Sequence, residues 1–151
     1  MKNLIILITL ILFSNNALAQ VGIGTIDPKS TLDINGNLSL KVVSLNGGPS
    51  GAATSIDDGV YLNLIPTSGN ADFELPDSRT VPGRIYILRN ITDTETAYIL
   101  TQGVGVEFFA GDSTSSTTVV NMTTVVGGGN LNKTLIFISD GSNWTYGKLG
   151  F

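Results

Sequence analysis

Hydrophobic positions in this chain alternate with polar ones in short runs that are separated by glycine, proline and asparagine. In GVYLNLIP, Val60, Leu62 and Leu64 fall on one face, and in ADFELP, Phe73 and Leu75 alternate with acidic residues. A period of two residues is that of a β-strand with one buried face. No segment keeps the 3.6-residue period of a helix over about eleven positions. The pattern therefore predicts an all-β fold.

The later part of the chain contains runs that predict hairpins. RIYILRN and TAYILTQ are joined by ITDTET, which predicts a hairpin with a polar tip. KTLIFIS and NWTYGKL flank Asp140-Gly141-Ser142, a short connection of the kind that hairpins favour. Gly141 is expected to adopt a positive φ there, and Gly83 marks a second turn before a strand. STTVVNMTTVV is strand-prone on both sides of Asn121. We expect a compact antiparallel β domain.

One of these runs, KTLIFIS, is apolar on both faces, since Leu135 and Phe137 alternate with Ile136 and Ile138. Both faces should therefore be covered. At the edge of a monomer, an uncharged strand of this kind would invite uncontrolled pairing. Closed threefold symmetry would let one face meet the chain's own sheet and the other a neighbouring subunit. We expect Ile136 and Ile138 at an oligomer interface; burial between two sheets of a monomer is the alternative.

The segment 1–19 has the pattern of a secretory signal peptide. Lys2 makes the start positive, an apolar core (LIILITLILF) follows, and Ala17 to Ala19 form a small-x-small cleavage site. This core is too short to span a bilayer. We expect cleavage after Ala19, no membrane insertion afterwards, and export to the periplasm, cell surface or exterior of a Gram-negative bacterium. The chain has no cysteine, so we expect no lipid anchor at the cleavage site.

Composition and charge exclude several classes of function. The net charge is −4 and becomes −5 when Lys2 is removed with the signal, and basic residues do not cluster, so nucleic acid is not an expected partner. Histidine and cysteine are both absent, which removes the commonest general base, the thiol nucleophile and the usual zinc ligands. The pairs Asp57-Asp58 and Asp72/Glu74 are the remaining candidates for carboxylate catalysis, but adjacent or alternating acids in a turn or on the wet face of a strand are usually just solvated. We expect a non-enzymatic protein without metal or cofactor.

After the signal, the chain opens with VGIGTIDPKSTLDINGN (21–37). Its first two glycines could begin a dinucleotide-binding loop, but Asp27 stands where the third glycine is required. The alternating acids and amides from Asp33 to Asn37 resemble a calcium loop, but its glycine comes too early and no bidentate glutamate follows. We therefore predict turns and short extended pieces, in which glycine supplies positive φ angles.

The same stretch resembles a segment, V-G-I-G-T-x-x-P-x-x-x-L-D-V-x-G-N, found near the start of many secreted bacterial fibre-like and phage tail-fibre-like proteins, with Ile34 in place of the usual valine. FELPDSRTVPGRIYILRNIT and LIFISDGSNWTYGKLG are similar to a β domain at the tips of phage tail fibres and related bacterial surface proteins. The positions that match this tip domain are Leu75, Pro76, Asp77, Pro82, Gly83, Arg84 and Tyr86, then Ser139, Asp140, Gly141, Asn143 and Trp144. The resemblance implies a homotrimer in which each chain's sheet packs around a threefold axis.

We divide the chain beyond the signal into two parts. Residues 20–55 form a loop-rich fibre-like segment with one predicted strand, NLSLKVVSL, and a linker from Asn46 to Ser55 that is rich in glycine and serine. Residues 56–151 form the compact β tip-like domain. No exact internal repeat is visible.

Two further features suggest contact with glycans. Trp144 and Tyr146 lie on one face of the last predicted strand, where they could stack on a sugar or else fill the core or a subunit interface. Asp112-Ser113-Thr114 resembles an acid-led O-glycosylation site of exported bacterial proteins, with a plain polar loop as the alternative.

These observations predict an exported structural or adhesive protein that forms a short trimeric assembly at the cell surface or in the periplasm. The alternative is a monomeric carbohydrate-binding β-sandwich, which would use Trp144 and Tyr146 and take a surface glycan as its partner.

Overall fold

A computed structural model of the chain describes residues 21–27, 30–124 and 131–148. The predicted signal peptide lies outside these residues. The fold is all-β, as predicted, and its regular elements are strands apart from two single-turn 3₁₀ helices at Ser78–Thr80 and Leu131–Lys133. In chain order the strands are β1 Val21–Ile23, β2 Leu32–Ile34, β3 Val42–Asn46, β4 Thr54–Ser55, β5 Tyr61–Ile65, β6 Asp72–Leu75, β7 Ile85–Asn90, β8 Ala97–Thr101, β9 Phe108–Ala110, β10 Ser116–Thr117, β11 Val120–Met122, β12 Thr134–Ser139 and β13 Trp144–Lys148.

The chain divides into two units, Met1–Ser39 and Leu40–Phe151. In the first, β1 and β2 form a short parallel pair. Gly24, with φ +72°, makes the turn after β1, and its carbonyl accepts a hydrogen bond from the side-chain amide of Asn35 at 3.3 Å. Turns and short extended pieces were predicted here, and the described residues confirm them. Pro28, which belongs to the fibre-like motif, lies outside the described residues.

The second unit consists of two sheets that enclose one core. The large sheet has the strand order β10-β9-β13-β12-β7-β5-β3, and the small sheet has the order β11-β8-β6-β4. From β3 to β8 the chain alternates between them, so that successive strands lie in opposite sheets. The core between the sheets is apolar; its largest fully buried side chains are Trp144, Tyr86, Phe73, Phe108, Phe137, Ile56, Leu62, Leu64, Leu75, Leu88, Ile99 and Met122.

This alternation builds three stacked coils, each with one strand in either sheet, and the coils pair in parallel. In the large sheet, Val42 lies opposite Tyr61, and Tyr61 lies opposite Ile87 on its other side. In the small sheet, Thr54 lies opposite Phe73. Paired residues of the first and second coils are separated by the same number of residues in both sheets. The same is true of the second and third coils, where the separation is longer. The stack is a short, flattened β-solenoid.

Two predictions about this unit are wrong. The strands of RIYILRN and TAYILTQ do not form a hairpin, because β7 lies in the large sheet and β8 in the small one. Both strands present alternate apolar residues to the same core from opposite sides, which a hairpin within one sheet would not allow. The antiparallel arrangement is also wrong for β3 to β8 and for β13 with β9, which pair in parallel. It holds for β12 with β7 and β13, for β11 with β8 and for β10 with β9.

The boundary between the units also differs from the prediction. The compact unit begins at Leu40 and not at Ile56, because β3 and β4 form the first coil of the solenoid. Gly48, in the glycine-rich connection between them, forms a bridge to Asp72. A Cβ at Gly48 would lie 2.2 Å from the carbonyl oxygen of Ala52. The glycine-rich composition that predicted a linker therefore reflects close backbone packing inside the domain.

The hairpin at Asp140-Gly141-Ser142 is confirmed, with Ser139 opposite Trp144 in the β12–β13 pair. The Asp140 carboxylate accepts hydrogen bonds from the backbone N–H groups of Ser142 at 2.7 Å and Asn143 at 2.6 Å. Gly141 has φ +88°, as predicted. A side chain there would be strained, and its Cβ would also lie 3.3 Å from Pro82.

We expect Gly141→Val to lower the free energy of unfolding by about 1 kcal/mol or more, because a β-branched residue resists positive φ. Thermal denaturation followed by circular dichroism measures the change. Gly141→Asn is the matched control, since asparagine tolerates the left-handed region, and it should cost less. Equal melting temperatures for Gly141→Val and the wild type would contradict the role of this turn.

Candidate functional site

The two sequence runs that carry the tip-domain resemblance lie against one another in the fold. The backbone N–H of Gly83 donates a hydrogen bond to the carbonyl of Ser139 at 2.9 Å, and the backbone N–H of Ser139 donates one to the carbonyl of Arg84 at 3.0 Å. The indole N–H of Trp144 donates to the carbonyl of Pro76 at 3.1 Å. These contacts join the segments 75–86 and 139–144, which are far apart in sequence. We call this contact region of the domain the corner.

The polar side chains of this corner also form hydrogen bonds with backbone groups of its loops. Asp77 accepts a hydrogen bond from the N–H of Arg79 at 3.0 Å and forms an ion pair with its guanidinium. The hydrogen bonds from Arg79 hold the pKa of the Asp77 carboxyl below its usual range, and Asp77 raises the pKa of Arg79. Asn143 accepts a hydrogen bond from the N–H of Glu107 at 3.0 Å. These residues fix loops, and none of these contacts forms a catalytic arrangement.

Trp144 and Tyr146 do lie on one face of β13, but that face points into the domain. Trp144 is fully buried, and its indole N–H also donates to the hydroxyl of Thr101 at 3.1 Å. A ring without exposed surface cannot stack on a sugar, so the predicted role of Trp144 in ligand stacking is wrong. Tyr146 is half-buried; its ring stacks on Phe137 with centroids 5.8 Å apart.

Tyr146 borders a groove of about 690 Å³ at the end of the domain where β9, β11, β12 and β13 meet. Asp112 and Lys148 also line it. A single partly buried tyrosine remains of the predicted stacking pair, and its ring is already engaged with Phe137 and Phe108. The groove therefore lacks the exposed aromatic platform that the sequence suggested.

The outward side of the large sheet is apolar across several strands. One row of directly paired residues runs through Val42, Tyr61, Ile87 and Ile136, and a parallel row runs through Ile85, Ile138, Thr145 and Phe109. We call the apolar members of these rows the outer apolar face: Val42, Tyr61, Ile85, Ile87, Phe109, Ile136 and Ile138. Among the described residues of the unit that begins at Leu40, no other element covers the exposed parts of this face.

Exposure confirms that the face is open. Val42 is 60% exposed, Ile85 42% and Ile138 40%, although β7 and β12 lie inside the sheet and not at its edge. The opposite side of β12 is closed, because Leu135 and Phe137 are buried in the core. The two faces of β12 are therefore both apolar, as the sequence indicated, and one of them is open in the isolated chain.

The outward side of the small sheet carries an aromatic residue that the sequence analysis missed. Tyr98 on β8 is 41% exposed. It lies opposite Asn121 of β11 on one side and opposite Asp72 of β6 on the other. Its alternation with the buried Ala97 and Ile99 was a usable signal, since it places Tyr98 on the outward face.

The remaining predicted features have modest structural roles. The Asp58 carboxylate pairs with Lys41 and accepts the N–H of Gly59, and these hydrogen bonds lower its pKa. The hydroxyl of Ser113 accepts the N–H of Ser115 at 3.0 Å in an exposed loop. Residues 21–27, 30–124 and 131–148 include no cluster of three or more acidic, histidine or cysteine side chains that could hold a metal. No helix in this part of the chain is long and apolar enough to cross a membrane.

Comparison with protein-family models, with curated proteins and with solved structures finds no match to this chain. The fibre-like and tip-like resemblances stay predictions from the sequence.

Proposed function

We propose that this chain is an exported, non-enzymatic structural or adhesive protein of a Gram-negative bacterium, which assembles through the outer apolar face into a short homotrimer at the cell surface or in the periplasm. The observation that carries this proposal is the open apolar side of β12. Ile136 and Ile138 stand at the centre of a sheet, where a monomer would expose them to water. A second copy of the same face would remove that apolar surface from water.

Two considerations support threefold symmetry. The tip domains that the chain resembles pack their sheets around a threefold axis, and a closed ring uses each copy of the face without open-ended growth. The face extends across the large sheet from β9 to β3, and in the proposed trimer each copy of it would contact two neighbours.

The first unit also supports assembly. Val21, Ile23 and Leu32 are each more than half exposed in the β1–β2 pair. A two-stranded pair with so little buried surface is marginal by itself in water. Association of three such segments would bury these side chains, as the resemblance to fibre-like segments implies.

The direct experiment is a mass measurement of the exported protein by light scattering coupled to size-exclusion chromatography. We expect three times the mass of one chain, at concentrations down to the micromolar range. A mass equal to one chain would contradict the trimer and would favour a monomeric module.

Export makes a separate prediction about the N-terminus. We expect N-terminal sequencing or intact-mass analysis of the exported protein to show that it begins at Gln20, free or cyclised to pyroglutamate. The reason is the small-x-small site that ends at Ala19. Recovery of Met1 in the exported fraction would contradict cleavage.

The alternative function, a monomeric carbohydrate-binding sandwich based on Trp144 and Tyr146, loses its main support because Trp144 is buried. We do not propose that site.

A further inference from the structure

The outward side of the small sheet presents a row of three side chains that cross three strands, Asn121, Tyr98 and Asp72. Directly opposed residues in a sheet have Cβ atoms about 5 Å apart, so an amide and a carboxylate flank the phenol ring closely. Next to the ring lies a shallow depression of about 390 Å³, which is lined by Tyr98 and Asp72 together with Ser50 and Leu100, whereas Asn121 flanks the ring on its other side. We call this surface the Tyr98 row.

The polar groups of the Tyr98 row are available to a ligand. Among the described residues, the side chains of Asn121, Tyr98 and Asp72 have no hydrogen bond to another protein group. The neighbouring acid, Glu74, differs, because it accepts a hydrogen bond from the side-chain amide of Gln102 at 3.1 Å. A partly exposed ring beside free hydrogen-bonding groups offers both an apolar surface and polar contacts within reach of one small molecule.

The chemistry of this row matches a sugar ring. Pyranoses have one face of C–H groups that packs on an aromatic ring, and hydroxyls at the rim that both donate and accept hydrogen bonds. The carboxylate of Asp72 accepts hydrogen bonds, whereas the amide of Asn121 donates and accepts them. The strands of the small sheet carry only two charged residues, Asp72 and Glu74, and both are acidic. Charge therefore favours a neutral saccharide over one that contains uronic or sialic acid.

We infer that the Tyr98 row is a binding site for a neutral saccharide, with Tyr98 as the stacking platform and Asn121 and Asp72 as hydrogen-bonding partners. This inference rests on the adhesive form of the proposed function and names its ligand class. The two sheets lie on opposite sides of one core, so assembly through the outer apolar face leaves the Tyr98 row on the outside. Each chain of a trimer would then present one site, and three sites would raise the avidity for a polymer.

The test is affinity gel electrophoresis of the full exported protein in gels that contain soluble xyloglucan, galactomannan, mixed-linkage β-glucan or starch, with polygalacturonate as the acidic probe. We expect at least one neutral polysaccharide to retard the wild type and polygalacturonate to have no effect. Tyr98→Ala should weaken the retarding interaction about tenfold, since it removes the stacking surface. Tyr98→Phe keeps the ring and should retain most of the binding.

The mass of every variant is measured in parallel, so that the result for the saccharide site and the result for the trimer can be distinguished. A trimer that none of the four neutral polysaccharides retards overturns the saccharide site and leaves the proposed assembly intact. Retardation that is unchanged in Tyr98→Ala, or that occurs with polygalacturonate alone, also overturns it. A monomer that is retarded in a Tyr98-dependent manner supports the site and contradicts the trimer. Circular dichroism of Tyr98→Ala must match the wild type; because the residue is exposed, we expect the fold to persist.

Discussion

Ile138→Asp is expected to reduce the mass of the assembly from three chains to one while the chain stays folded. Position 138 is 40% exposed in the single chain, so a carboxylate there can be hydrated once the subunits separate. In the proposed trimer the same carboxylate would be buried in an apolar interface without a partner, which costs several kcal/mol per subunit. The threefold symmetry repeats this cost three times. Light scattering measures the mass and circular dichroism the fold.

Two control variants sharpen this experiment. Ile138→Val keeps an apolar β-branched side chain and should remain trimeric. Asp72→Asn lies on the small sheet, on the other side of the core, and should neither dissociate nor unfold the protein. Ile136 is less exposed than Ile138, so Ile136→Asp should dissociate the trimer and also lower its stability. A trimer that survives Ile138→Asp would show that the outer apolar face is not the interface.

The local pattern of the sequence predicted which side chains are buried in several strands. Leu62 and Leu64 in β5, like Phe73 and Leu75 in β6, are fully buried, as their alternation required. The β12–β13 hairpin was also predictable, because a turn and its two flanking strands are close in sequence. Strand identity and the division of a strand into two faces depend on neighbouring residues, and a single sequence contains that information.

Pairing between the coils could not be predicted in the same way. The step from Val42 to its partner Tyr61 is shorter than the next step, from Tyr61 to Ile87, so the chain shows no constant period. The longer step includes the 3₁₀ turn Ser78–Thr80 and its connections. Parallel pairing also leaves no hairpin signal, because the paired strands are not joined by a turn. The solenoid therefore appears only when the strands are seen in space.

The candidate surfaces were predicted in part. The open apolar side of β12 follows from the unusual absence of polar residues in KTLIFIS, and the structure places Ile136 and Ile138 on an outward face. The stacking role of Trp144 was wrong because alternation gives the face of a strand but not whether that face is turned to the core. Tyr98 was missed for a different reason: its alternation with Ala97 and Ile99 places it on the outward face, but β8 was assigned to a hairpin with β7.

A buried amide provides the second large prediction. Asn90 is fully buried, in the inward position of β7 that lies opposite Leu64. Its amide N–H groups donate to the carbonyls of Glu95 at 2.8 Å and Met122 at 3.0 Å, and its oxygen accepts the N–H of Thr92 at 3.0 Å. The side chain thus fixes the crossing from β7 to β8 and ties it to β11. Both its donors and its acceptor are engaged, which explains a polar residue at a core position.

Asn90→Asp should lower the free energy of unfolding by about 4 kcal/mol at neutral pH. A carboxylate oxygen would replace the amide group that donates to two carbonyls, and this buried negative charge would then face both carbonyl oxygens without a donor between them. The shape of the side chain is unchanged, so packing contributes little. Burial would raise the pKa of the new carboxyl in the folded chain above its unfolded value. The loss is therefore full above the folded pKa and shrinks as the pH falls towards the ordinary aspartate range. Guanidinium denaturation at pH 7 and at pH 4 measures this loss of stability.

Asn121→Asp makes the same chemical change at an exposed position and should alter stability by less than about 0.5 kcal/mol. Equal losses in the two variants would contradict the structural role of Asn90.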